Sequence, residues 1–566
     1  MKRDTLTILA CILFLFFFAI SFRVYKIASE PRGALVDEVS IGYNAYSILK
    51  TGKDEHGVSF PLIFKAFGDQ KLPLYIYSTV PFIQLFGLNN LAVRLPSVIA
   101  GSLFCVALFL LLSRLNLGRK MGFLGGLIAA TSPWTIMMSR FSYESNFGLL
   151  FLVLGILLSL YSLDKKNVGL AVLGGIFFGL TLYSYIAFKF ITPLVILLLI
   201  GIYFRRKFSI NPLGIIIIIS FVLSFLPQVG LSSLQSTARY SQIGYLFNSG
   251  TVLNIDQRRY FCTQKLPRLW CSLSSNKALS YVNEYISRYS GVFSLEYLFF
   301  TGDKTDKRLG VDNYGMFYLF LLPFYLLGLA NYWNKIKEGK LSNNDIFVIL
   351  SLLLIPVPSM LVGEPHKLRL SGLSPFVLIV ILVGISQLNN LNKKVLNIKT
   401  LLVLISGASF VFALFFMTDF LTIQTHKYEE SYGTYIPKLM GYLHTQSKQT
   451  PIYIRSITEG ISYYAYFNAI DPHTFQRKAV YSIPDAVGFT HATDLENIHI
   501  TEEDFHVLSC ELKNKDEHAL YVSHENVREI PDNAKKIIYS ENGVDTLAIV
   551  YDLSKISTDI LHCGNR

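Results

Sequence analysis

"LPLYIYSTVPFIQLFGL", residues 72–88, is the stretch on which the topology of this 566-residue chain turns. It is apolar, but Pro81 interrupts it, and it is short against the roughly 20 residues that cross about 30 Å of hydrocarbon. Counted as a span, it makes twelve and puts Arg114, Arg119 and Lys120 outside while Lys165 and Lys166 stay inside. Left out, it leaves eleven segments: 5–25, 91–113, 121–138, 146–163, 168–186, 188–204, 211–230, 313–333, 344–362, 372–388 and 398–420. The basic clusters Arg119-Lys120, Lys165-Lys166, Arg205-Arg206-Lys207, Lys335 to Lys340 and Lys393-Lys394 then all share the side of Lys2 and Arg3. Positive charge is retained on the cytoplasmic side, so the eleven-span count is the consistent one. Residues 72–88 read as a helix lying in the outer interface or re-entering it.

The composition agrees. Hydrophobic residues make up 52% of the chain and charged residues only 16%, against about 25% charged in soluble domains. The net charge of +12 is spread over loops between apolar segments, which argues against a nucleic-acid partner and for a polytopic α-helical membrane protein. The first segment is expected to be an uncleaved anchor, because no small-x-small site precedes Arg23. This topology places 26–90, 231–312 and 421–566 outside. Residues 1–420 form the expected transmembrane domain, and 421–566 a separate extracytoplasmic one. Cys11 and Cys105 sit in spans, whereas Cys262/Cys271 and Cys510/Cys563 form two local pairs outside, where disulfides persist.

After Asp419 the pattern changes. The β-like runs "PIYIRS", "ALYVS", "KKIIYS" and "TLAIVYDL" alternate with the helical patterns "YIPKLMGYLHTQSK" and "GISYYAYFNA". Such alternation predicts a small α/β domain. It carries no Gly-rich phosphate loop, zinc spacing or nucleophile elbow. In 231–312 the stretches "QRRYFCTQKLPRLWC" and "YISRYSGVFSLEYLFFTGDKTDKR" mix aromatics with cations, which suits sugar faces and interfacial belts alike.

Ionisable residues are nearly absent from the middles of the spans, where an ion-coupled transporter needs them. They gather instead at outer helix ends: Asp37, Glu38, Arg94, Arg140, Glu144, Lys189, Arg239, and the run His366-Lys367-x-Arg369. Carboxylates among cations at a membrane surface fit one chemical problem. When a sugar leaves a lipid phosphate, cations hold the departing charge, a carboxylate takes the proton of the acceptor, and the lipid tail lies between helices.

Three motifs in order carry a resemblance: "DEVSIGYNAYSILKTG", "KLPLYIYSTVPFIQLFGLNNLAVRLPSVIAG" and "SRFSYESNFGLLFLVLGILLSLY". They resemble the N-terminal half of the GT-C-fold glycosyltransferases that use polyprenyl- or dolichyl-phosphate sugars, such as protein O-mannosyltransferases and lipid A aminoarabinose transferases. The likeness covers about 5–205 and continues more weakly to about 420. It implies the GT-C fold, a catalytic acid in the first outer loop, a juxtamembrane helix at K-x-P-L-Y, and a second span opened by R-L-P-S.

By that resemblance Asp37 matches the catalytic loop acid and Glu38 its neighbour. The two are about 100° apart on a helix, so only one faces a common target. The expected base is Asp37, with Glu38 in support, and the structural alternative is an acid pair complementing a helix dipole. Glu144, in "RFSYE", stands where many relatives carry Asp; its alternative is pairing with Arg140. Arg94, Arg140, Lys189, Arg239, His366, Lys367 and Arg369 are the candidate donor-phosphate cations; snorkelling is the alternative for Arg94 and Lys189, and headgroup binding for Arg239, His366, Lys367 and Arg369. Lys189 departs from the family, whose Thr-Lys-Gly falls four positions earlier, where this chain has Ser184 to Ile186.

The expected protein is therefore a membrane glycosyltransferase of inverting type. It moves a sugar from a polyprenyl-phosphate donor to a protein, lipid or glycan acceptor on the extracytoplasmic face, in a bacterial cytoplasmic (inner) membrane. No obligate cofactor or metal is expected, and a divalent ion at Asp37/Glu38 is the alternative left open. The rivals are a lipid-linked-sugar flippase or transporter and a non-catalytic envelope binding protein.

Overall fold

The computed structural model describes residues 2–66, 69–205, 211–243, 249–306, 308, 310–391, 398–455, 457, 459–484, 490–503, 508, 518–524, 534–540, 543 and 545–553. They form two compact units: Met1–Tyr25 with Ser97–Thr418, and Lys26–Pro96 with Asp419–Arg566. This redraws the expected division. Residues 26–90, expected with the transmembrane part, build one core with the C-terminal region instead. The reason is packing that sequence separation hides. A Cβ on Gly42 would meet the Tyr466 ring at 2.5 Å, the Tyr43 hydroxyl donates to the Ile470 carbonyl at 3.0 Å, and Gln476 Nε2 donates to Ser47, Thr51 and Asp54.

The first unit is helical. Six helices are long and apolar enough to cross a bilayer: Asp4–Val24, Asn90–Leu115, Ser145–Lys165, Asn343–Met360, Ser371–Leu388 and Lys399–Lys427. A seventh span is the pair Gly118–Thr131 and Pro133–Arg140, bent by 54° at its break. Val168–Leu182, Phe188–Phe204 and Pro212–Gln228 are apolar but shorter. The expected span 313–333 is corrected to the helix Leu322–Lys337, preceded by a turn of 3₁₀ helix at Leu319–Leu321. Ten of the eleven expected segments thus fall on helices, and seven spans, among the described residues, qualify to cross by length and composition. The helix Pro73–Phe86 has 14 residues; at 1.5 Å per residue it reaches about 21 Å, short of the hydrocarbon thickness.

Two details show how the spans hold together. Helices Leu322–Lys337 and Ser374–Leu391 touch backbone to backbone: a Cβ on Gly384 would stand 1.8 Å from the Phe324 carbonyl oxygen, and one on Gly328 2.0 Å from that of Val380. Apolar helices in lipid gain little from hydrophobicity between themselves, so such close approach through small residues is what joins them. At the 54° break, Pro133 has no N–H to offer the carbonyls of the preceding turn. Arg23, fully buried, fills the gap with Nη1 to the Ala130 carbonyl at 2.9 Å and Nη2 to Thr135 Oγ1 at 3.2 Å, while Thr135 Oγ1 donates to Ala129.

The second unit holds a two-stranded hairpin, β1 (Phe64–Ala66) and β2 (Asp69–Lys71), and a larger sheet. The sheet strands are β3 (Ile452–Ile454), β4 (Val480–Tyr481), β5 (Ala492–Leu495), β6 (Ile498–Ile500), β7 (Leu520–Ser523), β8 (Ala534–Tyr539) and β9 (Thr546–Asp552). Their order is β4-β5-β6-β3-β7-β9-β8, with β3 parallel to both β6 and β7 and the other pairs antiparallel. Central β3 and β7 bury Ile452, Ile454 and Leu520 completely, as a sheet covered on both faces requires. Helices Ile436–His444, Gly460–Phe467 and Pro472–Lys478 complete the α/β arrangement.

Cys262 and Cys271 are joined in a disulfide, nine residues apart; Cys510 and Cys563 lie outside the described residues. In unreduced, denatured protein, alkylation should therefore label Cys11 and Cys105 and spare Cys262 and Cys271. Chain entropy values so short a closed loop at about 3 kcal/mol. Peptide mapping that finds both thiols labelled would refute the pairing.

Candidate functional site

The helix Val36–Thr51 opens with Asp37 and Glu38 in its first turn. Glu38 turns inward. Its Oε2 accepts the Leu35 N–H at 3.1 Å, one of the donors that every helix start leaves over. Its two oxygens also take Arg94 Nε at 2.9 Å and Nη2 at 2.8 Å, a bidentate fork. Arg94 continues with Nη1 to the carbonyls of Ile27 (2.9 Å) and Pro31 (3.1 Å) and Nη2 to Gly33 (2.8 Å). All five guanidinium protons are thus engaged inside the protein, with Arg94 0% and Glu38 2% exposed.

This corrects two expectations. Arg94 holds the segment 27–33 rather than a donor phosphate, and Glu38 is its counter-ion rather than a supporting base. Snorkelling, the alternative weighed for Arg94, fails for the same reason: the side chain runs into the unit, not out of it.

Asp37, one residue earlier, points elsewhere. It forms an ion pair with Lys71, and its side chain is 46% exposed while that of Lys71 is 6% exposed. Lys71 ends β2, where it lies opposite Phe64 in the hairpin register, directly before the helix Pro73–Phe86. The sequence reading treated K-x-P-L-Y as scaffold and overlooked its lysine. The available signal was the motif itself, a cation two residues ahead of the helix Pro73–Phe86 that was expected in the interface. A buried ammonium needs a compensating anion, and Asp37 supplies it while keeping a solvent-facing side.

The remaining candidates belong to the first unit. Arg140 is fully buried and donates Nη1 to the carbonyls of Phe22 (3.2 Å), Arg23 (3.3 Å) and Tyr25 (2.8 Å). Through Nη1 it caps the end of the first helix, where carbonyls lack intrahelical partners. Glu144 precedes the helix Ser145–Lys165 and is half-buried, as is Lys189 in the first turn of Phe188–Leu199. Arg239 lies on the helix Pro212–Ile243, and its side chain is outside the described residues.

His366, Lys367 and Arg369 share the loop before Ser371–Leu388. The Lys367 N–H donates to Asp303 Oδ2 at 2.7 Å and its carbonyl accepts Trp134 Nε1 at 3.2 Å. Burial pushes the Lys367 ammonium down to about 7, with Asp303 and Asp306 pulling the other way. Burial likewise takes the His366 imidazole down to about 4, against the pull of Asp303. Arg369 Nη2 donates to the Glu364 carbonyl at 2.9 Å.

Among the described residues, no group of three or more His, Cys, Asp and Glu side chains is placed to hold a metal ion. The carboxylates of Asp37 and Glu38, the pair where a divalent ion was left open, face separate cations, Lys71 and Arg94.

Residues 70–229 match the family model described as dolichyl-phosphate-mannose-protein mannosyltransferase. Among solved structures, ArnT from Cupriavidus metallidurans is similar over 97% of this chain and 98% of its own. The TM-score is 0.51 for the form bound to undecaprenyl phosphate and 0.52 for the apo form, each at 12% identity. The chain has the GT-C fold. The archaeal oligosaccharyltransferase AglB from Archaeoglobus fulgidus, solved with an inhibitory peptide and a dolichol-phosphate, is similar at a TM-score of 0.45 and 11% identity. That match covers 82% of this chain and 64% of the archaeal one. No curated protein matches.

Within this GT-C chain a second buried acid braces the loop after the Asp37 helix. Glu55 and Asn44 bond reciprocally: Asn44 Nδ2 donates to Glu55 Oε1 at 2.9 Å, and the Glu55 N–H to Asn44 Oδ1 at 3.1 Å. Burial raises the Glu55 carboxyl to about 8; the Asn44 bond opposes this, and Asp54 and Glu459 add to it.

Two outcomes follow from these pairs. Removing either partner of a buried ion pair strands the other charge, at a cost of about 3–5 kcal/mol. R94A and E38A should therefore both melt well below wild type, and unchanged melting would return Arg94 to the donor-binding candidates. For Glu55, the folded protein holds the proton more tightly than the unfolded chain, so its contribution to stability declines as pH rises from about 4.5 to about 8. E55Q keeps the Asn44 acceptor and cannot ionise. Its melting temperature should exceed wild type at the upper end of that window and match it at the lower end.

Proposed function

We propose that the chain transfers a sugar from a polyprenyl-phosphate donor to a protein, lipid or glycan acceptor at the extracytoplasmic membrane surface. The observation that carries this reading is the Asp37–Lys71 pair, a half-exposed carboxylate held against a buried ammonium. The family model over 70–229, which begins one residue before Lys71, and the undecaprenyl phosphate bound by ArnT support the donor class.

The chemistry divides between the two side chains. Lys71 faces the phosphate and takes up the negative charge that grows on its oxygen as the bond to the anomeric carbon breaks. Asp37 accepts the proton of the acceptor hydroxyl as that oxygen bonds to the anomeric carbon. The electron pair of the broken bond leaves on polyprenyl phosphate, so the step needs neither nucleotide nor redox partner, and no metal is invoked. Glu38 and Arg94 act only by fixing the helix that carries Asp37. In the first unit, taken by itself, Glu144 as an acid and Lys189, Arg239, Lys367 and Arg369 as phosphate cations stand as separate proposals; His366, whose imidazole burial keeps uncharged near neutral pH, drops out as a cation.

A donor screen on purified protein, reading release of polyprenyl phosphate, tests it. D37N should lose about 10²- to 10⁴-fold in turnover, read at a temperature where it is folded, because removing the counter-ion of the buried Lys71 ammonium should also lower its melting temperature. K71Q should instead raise the donor concentration needed for half-maximal rate. Normal turnover by D37N would reject the assignment. Lipid movement across liposomes with no sugar transfer would favour the flippase.

A further inference from the structure

The region 249–292 presents apolar surface in an ordered form. Helix Ser249–Thr263 turns into helix Arg268–Ser274, and the Cys262–Cys271 disulfide clasps the turn. Arg259 Nε, bonded to the Ser275 carbonyl at 2.6 Å, ties the two ends. On this clasped hairpin Leu266, Leu269, Trp270 and Leu273 are 50–75% exposed. Leu269, Trp270 and Leu273, spaced i, i+1 and i+4, share one side of the helix Arg268–Ser274, and Leu266 lies in the turn just before it. The next helix, Lys277–Val292, adds Leu279, Val282 and Ile286, each at least 41% exposed.

Charge is equally one-sided. Between 253 and 277 five cations, Arg258, Arg259, Lys265, Arg268 and Lys277, stand against the single carboxylate of Asp256. All but Arg259 are exposed. The hairpin is also braced to a helix of crossing length, for Tyr289 and Tyr285 on Lys277–Val292 donate to the carbonyls of Leu353 (2.7 Å) and Val357 (3.4 Å).

An outward apolar stripe bordered by cations, with a tryptophan in it, has the chemistry of a segment lying in the headgroup layer. A protein partner would need a matching acidic rim. A bilayer surface rich in anionic lipid supplies both halves, and a membrane-spanning chain already stands beside one. We propose that this disulfide-clasped hairpin is an interfacial anchor. Its leucines and Trp270 enter the boundary between headgroups and acyl chains, and Arg258, Lys265, Arg268 and Lys277 rest on anionic headgroups. The inference stands on the membrane character of the chain and is independent of which sugar, if any, the Asp37 site transfers.

The test uses the full chain in vesicles of phosphatidylcholine, with and without phosphatidylglycerol, carrying brominated acyl chains. W333F removes the other exposed tryptophan, and subtraction of W270F/W333F isolates Trp270. Brominated lipid should quench most of the Trp270 emission and aqueous acrylamide little of it. The triple variant R258Q/K265Q/R268Q should lose the extra quenching that the anionic lipid gives, while Cys262 and Cys271 still resist alkylation. Trp270 quenched by acrylamide and untouched by brominated lipid would overturn the proposal. So would shielding that appears only at high protein-to-lipid ratio, which would assign the stripe to a second copy. Equal quenching in neutral and anionic vesicles would overturn the anionic surface.

Discussion

The bidentate contact between Glu38 and Arg94 is the constraint on which the second unit's candidate site rests. Three carbonyls of the segment 27–33 find their donors on that one guanidinium, and the first turn of the Asp37 helix ends on its counter-ion. Charges taken out of water cost several kcal/mol each, and their mutual attraction offsets this only when every donor is used. Here every donor is used. The pair adds definition more than stability, for it fixes where a helix begins and so which way its exposed acid points.

Adjacent carboxylates are thereby given unlike surroundings. A turn of about 100° per residue sends Glu38 into the interior and leaves Asp37 at the surface beside Lys71. A sealed ion pair and a half-open one then stand side by side, with the closed pair holding the open one in place. Only the half-open pair can exchange its partner for a substrate without unfolding the helix start. That asymmetry, and not the mere presence of two acids, is what the proposed chemistry rests on.

The fold was legible because spans announce themselves by length and apolarity, and because basic loops gave the alternation that left 72–88 outside the count. The four strands read from "PIYIRS", "ALYVS", "KKIIYS" and "TLAIVYDL" appear as β3, β7, β8 and β9; the two- to four-residue β4, β5 and β6 are too short for a period of two to register. Of the candidate site, the motif around Asp37 pointed to the start of a helix where two adjacent acids stand, and the structure places them in the first turn of Val36–Thr51. Arg94 was misread because a cation at a helix end looks the same in sequence whether it reaches out to headgroups or folds in to satisfy carbonyls. What decides is the supply of unpaired carbonyls nearby, and that is a property of the fold. Lys71 was passed over because its partner lies 34 residues away, across a hairpin that no local pattern reveals. The union of 26–96 with 419–566 was illegible for the same reason at greater range.

That union has a consequence for how the molecule is made. In synthesis the Asp37 helix precedes Tyr466, Ile470 and Gln476, against which it packs, by more than 400 residues. Contacts of such high sequence separation form slowly, because the intervening chain must be closed before they stabilise anything. Through most of translation the first segment of this unit must wait with its apolar side uncovered, while the transmembrane helices between its two halves are threaded into the bilayer. The acid that the site offers to solvent is thus synthesised well before the residues that set it in its final orientation.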